Sequence, residues 1–184
     1  SILGANGSGK STLLKAIVGL LPYTGEIRIQ STPVEKLKRV ERASLMAYVP
    51  QMSSLPFDFS VLEVVLMGRF HTSSFGFNYS KEDKALAHRC LEKVGMGTFS
   101  KRACKNLSGG ERQLVLIARA LAQQSNIIVM DEPVTGLDLG NQMHLLDLIS
   151  TLAKEGYTIL QTTHYPDHAL RVSHKVAWLS QGKV

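Results

Sequence analysis

Near the amino end of the chain stands the stretch Gly4-Ala5-Asn6-Gly7-Ser8-Gly9-Lys10-Ser11-Thr12, in which two glycines enclose four residues and Lys-Ser follows. The end of an apolar strand precedes it, and apolar residues at helical spacing follow at 12–18. Glycines let backbone N–H groups turn toward phosphate oxygens, a helix N-terminus and Lys10 supply positive charge, and the Ser11 hydroxyl reaches Mg²⁺. The stretch therefore predicts a phosphate-binding loop between a strand and a helix.

Strand and helix patterns alternate along most of the chain. Short apolar strands are predicted at 25–30, 47–49, 127–130, 158–161 and 176–179, and helices at 111–123, 142–154 and 166–171. Amphipathic helices at 61–67 and 81–94 interrupt this alternation. We therefore expect an α/β fold with a mostly parallel sheet in one domain over 1–184, with a core of 1–52 and 107–184 and an inserted helical subdomain of about 53–106.

Composition narrows the class of protein without selecting a partner. The 184 residues are 44% hydrophobic and 20% charged, which excludes collagen-like, coiled-coil and disordered chains. The net charge of +6 permits anionic partners, but the basic residues are scattered and favour a solvated basic surface. Cys90 and Cys104 are too few for a disulfide scaffold and lack metal-ligand spacing. No apolar run reaches the ~18 residues of a membrane span, and because the chain starts as if within a strand we expect a fragment.

The apolar run at 127–130 ends in two adjacent acids, Asp131 and Glu132. The carboxyl ends of parallel strands are where such a sheet meets its ligand. There, Asp131 is expected to hold the coordination shell of Mg²⁺, and Glu132 to polarise an attacking water. Acidic pairs after strands are also common as helix caps. The catalytic interpretation of this pair therefore depends on the phosphate-binding loop in the same chain.

A Ser-Gly-Gly sequence within Leu107-Ser108-Gly109-Gly110-Glu111-Arg112-Gln113 begins a predicted helix. Its backbone N–H groups and the helix dipole predict a second anion site, while Ser108 with Glu111 also fits a capping box. One ATP does not need two phosphate cradles on one chain. We therefore expect Ser108 and Gly110 to contact a nucleotide held by the loop of a second copy.

Together these motifs resemble the ATP-binding subunit of ABC transporters over nearly the whole chain. Residues 4–12 are similar to the Walker A motif of that family, 107–113 to its signature and 127–132 to Walker B. Gln51 is similar to the Q-loop glutamine, 136–138 to the D-loop and His164 to the switch histidine. The resemblance implies a P-loop NTPase core of RecA-like type with an inserted α-helical subdomain, truncated at both ends, and ATP and Mg²⁺ as cofactors.

The resemblance also assigns a role to each matching residue. Glu132 orients or deprotonates the attacking water, His164 hydrogen-bonds the γ-phosphate, Gln51 senses Mg²⁺ and that phosphate, and Asp138 lies near the two-fold axis of a dimer. The nucleotide contacts are Asn6, Gly7, Ser8, Gly9, Lys10, Ser11, Thr12, Gln51, Ser108, Gly109, Gly110 and Asp138; the metal contacts are Ser11, Gln51 and Asp131. The other histidines, His168 among them, are interpreted as structural. The adenine-stacking aromatic of the family stands upstream of the loop, so no residue is assigned to it.

Residues 61–69, the helical insertion after them and 136–142 resemble importer ATPases for iron-siderophore, haem, cobalamin and molybdate-type systems. Such a subunit pairs with a second copy or a paralogous cassette, binds integral membrane permease subunits, and serves a periplasmic or extracellular solute-binding protein indirectly. It lies peripherally on the cytoplasmic face of the inner membrane and binds no nucleic acid. Leu55, Pro56, Phe57 and Phe59 are candidates for contact with a coupling helix of the permease, or for local core packing.

Two alternative functions are weighed against transport. A soluble ABC ATPase of nucleic-acid repair would split the loop and the signature with a long coiled coil, and no heptad run separates Gln51 from Ser108. Translation factors usually carry two cassettes, whereas this chain shows one set of motifs. A P-loop kinase or GTPase would leave the Ser-Gly-Gly sequence without a role.

Overall fold

The computed structural model describes residues 1–29, 31–51, 58–70 and 79–183. Five strands form one sheet in the spatial order β4-β5-β6-β1-β7. These strands are β1 (Ile2–Leu3), β4 (Met46–Val49), β5 (Ile127–Met130), β6 (Thr158–Thr163) and β7 (Ala177–Trp178). Every pairing in this sheet is parallel. The expected α/β fold with a parallel sheet is therefore confirmed.

Helices connect and cover the strands. They are α1 (Lys10–Ile17), α2 (Arg39–Leu45), α3 (Val61–Leu66), α4 (Lys81–Lys93), α5 (Gly109–Ala122), α6 (Leu139–Lys154) and α7 (Pro166–Val172). Helices α3, α4 and α5 pack on one another in a large cluster of buried apolar side chains, which includes Leu91, Leu116 and Leu146. A smaller cluster containing Leu14 lies between α1 and the sheet. No helix within the described ranges is long and apolar enough to cross a membrane.

The structure contains a strand and an α-helix that the sequence patterns do not predict. A strand was expected at 25–30, but β2 (Arg28–Ile29) is only two residues long and pairs antiparallel with β3 (Thr32–Pro33), outside the main sheet. Helix α2 has no buried residue, so it lacks the apolar stripe by which a helix is recognised in a sequence.

The strand order brings three loops to one edge of the sheet. Strand β1 lies beside β6, and β6 lies beside β5. Because parallel strands end at the same edge, the loops after all three strands meet there. Residues 4–9 follow β1, Asp131 and Glu132 follow β5, and His164 follows β6.

Candidate functional site

The loop of residues 4–9 is open toward solvent where an anion would bind. Gly7 and Gly9 have φ values of 79° and 100°, in the left-handed region that favours glycine, and a Cβ at either would meet no atom within 4 Å. Helix α1 begins directly after the loop, and no side chain caps its first N–H groups. These donors remain available to a phosphate. Asn6 in the loop and Thr12 in the first turn of α1 are both exposed.

Lys10 is buried, although it belongs to the loop that faces solvent. Its Nζ donates to the carbonyl oxygens of Gly4 at 2.9 Å and Ala5 at 3.0 Å, and lies 3.0 Å from Oε1 of Glu132. The cation is therefore held between its own loop and the end of β5.

Asp131 is surrounded by oxygen donors. Its Oδ1 accepts from the hydroxyls of Ser11 and Thr162, both at 2.9 Å, and its Oδ2 accepts from the Tyr48 hydroxyl at 3.3 Å. Burial, with the neighbouring Asp131 carboxylate, raises the pKa of Tyr48 and keeps it protonated. A hydroxyl and a carboxylate in contact are the ligand types that Mg²⁺ takes alongside phosphate oxygens. The Ser11 and Asp131 pair therefore fits the expected ion.

Glu132 is buried at the end of β5, with a left-handed backbone φ of 43°. Its backbone N–H donates to the Thr162 hydroxyl at 2.9 Å. Its Oε2 lies 3.0 Å from Oγ1 of Thr135, 3.2 Å from Nδ1 of His164 and 3.4 Å from Nε2 of Gln51. Three residues predicted for the chemistry are thus brought into contact, although 81 residues separate Gln51 from Glu132.

The electrostatics keep the Glu132 carboxyl ionised. Burial by itself raises the pKa of Glu132, but hydrogen bonds from Lys10 and Thr135, together with the charge of Lys10 and the adjacent His164, hold that pKa below its usual value. A carboxylate that stays charged and faces an open phosphate loop has the chemistry of a general base.

His164 is the first residue after β6, and its ring lies 4.0 Å, centroid to centroid, from that of Tyr165. The Tyr165 ring in turn lies 4.7 Å from that of His168. His168 is buried, and its Nδ1 has no hydrogen-bond partner within the described part of the chain. Its aromatic contacts agree with the structural role expected for this residue.

The Ser-Gly-Gly sequence starts α5 as predicted. Ser108 and Glu111 form the reciprocal capping box, in which Glu111 accepts from the Ser108 N–H at 2.7 Å. A Cβ on Gly110 would lie 2.9 Å from Cγ of Asn141, so a larger residue would push against α6. Asp138 caps α6 by accepting from the Asn141 N–H at 2.9 Å. Across the described residues, no hydrogen bond or ion pair joins 107–113 to the phosphate loop.

Sequence reasoning missed three hydroxyls of the site, those of Tyr48, Thr135 and Thr162. Thr162 links both acids of β5, and only the adjacency of β5 and β6 reveals it. Thr135 was detectable, since a hydroxyl three residues after a turn glutamate is within reach of it. Among the other candidates, Leu55, Pro56 and Phe57 lie outside the described residues, whereas Phe59 packs against the large apolar cluster.

The sequence profile described as "ABC transporter" matches residues 1–135, nearly three quarters of the chain. This chain belongs to the ABC transporter family. The structure of the cassette agrees, because it superposes with a TM-score of 0.85 on the dimeric cassette MJ0796 bound to ADP and Pi. That alignment has 29% identity and covers 100% of this chain and 81% of the other. The expected P-loop NTPase fold and family are both confirmed.

Two curated relatives of this chain are named as ATP-binding proteins of transport systems. The zinc transport system ATP-binding protein TroB of Treponema pallidum is 43% identical over 167 residues, covering 89% of this chain and 61% of that protein. The iron(3+)-hydroxamate import ATP-binding protein FhuC of Bacillus subtilis is 39% identical over 187 residues, covering 100% of this chain and 69% of that protein. The chain thus spans between three fifths and seven tenths of these relatives' length.

Proposed function

We propose that this chain is the ATP-binding and ATP-hydrolysing subunit of an ABC transporter that imports iron-siderophore or another metal chelate. The observation that carries the proposal is the contact of Lys10, Gln51, Thr135 and His164 with the single carboxylate of Glu132, beside an open phosphate loop. A P-loop kinase also has the loop, but it has no use for a glutamate held by a histidine and a glutamine at this place.

The residues divide the chemistry between them. Backbone N–H groups of the loop and Lys10 bind the β- and γ-phosphates, and Ser11 with Asp131 and Gln51 holds Mg²⁺. When bound, Mg²⁺ neutralises charge on the phosphate oxygens. Glu132 accepts a proton from the attacking water, and His164 hydrogen-bonds the γ-phosphate. Binding of nucleotide therefore requires Lys10, Gln51 and His164 to exchange their present contacts with Glu132 for contacts with phosphate or Mg²⁺.

A second copy of the chain, or a paralogous cassette, completes each site. Ser108, Gly109 and Gly110 start a helix whose N–H groups suit an anion, and within one chain nothing described ties them to the loop. We infer that they contact ATP bound to the opposite protomer, with Asp138 near the two-fold axis. The dimeric arrangement of the similar MJ0796 cassette supports this inference.

We also propose the remaining partners and the solute class from the relatives. The relatives are named for zinc, manganese, iron(3+)-hydroxamate and cobalamin systems, all of which handle metals or metal complexes. A solved structure with 34% identity and a TM-score of 0.82 is described as a metal-chelate type transporter. The cassette would bind permease subunits at the cytoplasmic face of the membrane, through a helical subdomain of about 53–106, and would serve a solute-binding protein indirectly.

Turnover and affinity purification test the proposal together. The full-length protein, purified gently from its native membranes, is expected to hydrolyse Mg-ATP and to carry a stoichiometric polytopic membrane protein. Glu132→Gln should lower kcat by about 100-fold or more and trap an ATP-bound dimer, which size-exclusion chromatography detects. Glu92→Gln, at an exposed position of α4, is the matched control and should behave as wild type.

Each outcome bears on a different part of the proposal. Normal hydrolysis by Glu132→Gln would remove Glu132 from its role. If only soluble proteins or nucleic acid co-purified, the ATPase assignment would stand and the transport assignment would fall.

A further inference from the structure

Within the described ranges, four side chains contact the Glu132 carboxylate, and the ATP cycle proposed above requires three of them elsewhere. Lys10 is needed by the phosphates, His164 by the γ-phosphate and Gln51 by Mg²⁺ and that phosphate. The fourth of these side chains is Thr135, whose hydroxyl lies 3.0 Å from Oε2 of Glu132. The proposed mechanism gives this hydroxyl no contact with nucleotide or Mg²⁺. At the moment when water must be deprotonated, Thr135 is the partner that remains.

Thr135 belongs to the same turn as the carboxylate that it contacts. The Thr135 N–H donates to the carbonyl oxygen of Glu132 at 3.1 Å, which closes a turn directly after β5. Within this turn Glu132 adopts a backbone φ of 43°, a conformation that residues other than glycine rarely adopt. The main-chain bond and the side-chain bond therefore join the same two residues, and any movement of this loop carries both groups together.

The direction of the hydrogen bond between Thr135 and Glu132 is determined by the charge of the carboxylate. An ionised carboxylate only accepts hydrogen bonds, so the Thr135 hydroxyl must donate its single proton to Glu132. Threonine is branched at Cβ and stiff at χ1, so the donor holds a restricted position. Thr135 is half-buried, and burial of the Glu132 side chain at 8% exposure limits the competition from water.

We propose that Thr135 is a positioning residue for ATP hydrolysis, whose hydroxyl orients Oε2 of Glu132 toward the attacking water after Lys10, Gln51 and His164 have turned to the nucleotide. The inference rests on the proposed function, because it assigns Thr135 a role only if Glu132 is the base. It does not place Thr135 in contact with substrate.

Thr135→Val tests the inference, because it removes the hydroxyl and keeps the shape of the side chain. We expect kcat of the full-length protein to fall about tenfold, the loss of one hydrogen bond to a charged group, while the Kd for ATP stays within about twofold. Thr135→Ser, which keeps a hydroxyl, should recover most of kcat.

Thr151→Val is the matched control, since it removes an exposed threonine hydroxyl that donates to the Asp147 carbonyl oxygen within α6. It should leave kcat and the Kd for ATP unchanged. Wild-type kcat for Thr135→Val would overturn the inference, as would equal loss in the Ser and Val variants. Glu132→Gln, assayed in parallel, separates the two proposals: turnover by that variant refutes the proposed function, whereas its inactivity beside a normal Thr135→Val refutes only the inference about Thr135.

Discussion

The buried contact between Lys10 and Glu132 competes with nucleotide for the same cation. Lys10 Nζ lies 3.0 Å from Glu132 Oε1, and the two side chains are 4% and 8% exposed. A phosphate-loop lysine must turn to the β- and γ-phosphates when nucleotide binds. Glu132→Gln therefore removes a contact of the free protein that nucleotide has to break, so we expect the variant to bind ADP more tightly than wild type.

The expected gain in ADP affinity depends on how much of the interaction with Lys10 the glutamine side chain retains. Unit charges 3.0 Å apart interact by roughly 5–6 kcal/mol at an effective dielectric constant of about 20, but desolvation offsets most of that. The glutamine oxygen still accepts from the Lys10 ammonium, so a bond between two ions becomes a bond with one ion, a fall from about 3 kcal/mol to about 1.5–2 kcal/mol within the range for charged groups. The difference of about 1–1.5 kcal/mol corresponds to a Kd for ADP that is roughly 5- to 13-fold lower.

Isothermal titration calorimetry with ADP measures the contribution of the Lys10–Glu132 contact to the Kd. ADP is the suitable ligand because it lacks the γ-phosphate, which the Glu132 charge would also repel. ATP should gain at least as much as ADP does. Glu92→Gln serves again as the control for loss of one surface charge. An ADP Kd that is unchanged or higher in Glu132→Gln would refute the competition between Glu132 and phosphate for Lys10.

Three further predictions concern stability. Leu116→Ala should lower the free energy of unfolding in urea by about 2–5 kcal/mol because Leu116 is 1% exposed, whereas Leu170→Ala, at 77% exposure, should change it by less than about 0.5 kcal/mol; similar values for both would contradict the assigned core. Gly4→Ala would bring a Cβ within 2.4 Å of the Leu179 carbonyl oxygen, so we expect a loss of about 1–3 kcal/mol in the same assay, against no loss for Gly140→Ala, where the nearest atom is 3.4 Å away. Burial lowers the pKa of His168 below its unfolded value of about 6.5, so its contribution to stability is complete above that pH and is lost as pH falls below it; Tm measured from pH 8 to pH 5 should fall less steeply for His168→Phe, and parallel curves would count against this assignment.

Motifs that are continuous in sequence were predictable because their chemistry is local. The loop of residues 4–12 must turn between a strand and a helix, whatever surrounds it, since glycine and Lys-Ser spacing determine that geometry. The capping box of Ser108 and Glu111 likewise needs only a three-residue separation. Both are found in the structure where the sequence predicts them.

Helix α2 and strand β3 were missed for a physical reason. Neither contributes a continuous apolar face to the main sheet, and α2 buries none of its residues. Periodicity detects an element through the side chains it buries, so exposed elements of a few residues leave little signal.

The sequence by itself determined the type of each chemical group and the strand or helix that carries it: a phosphate loop after one strand, two acids after another and a histidine after a third. Only the tertiary structure decided which groups touch. The order β4-β5-β6-β1 brings Thr162 between Asp131 and Glu132, and it brings Lys10, Gln51 and His164 onto one carboxylate. Those contacts join residues that are 30 to more than 100 positions apart, and no local preference of the chain encodes which strands become neighbours, because pairing depends on how the whole sheet buries its two faces.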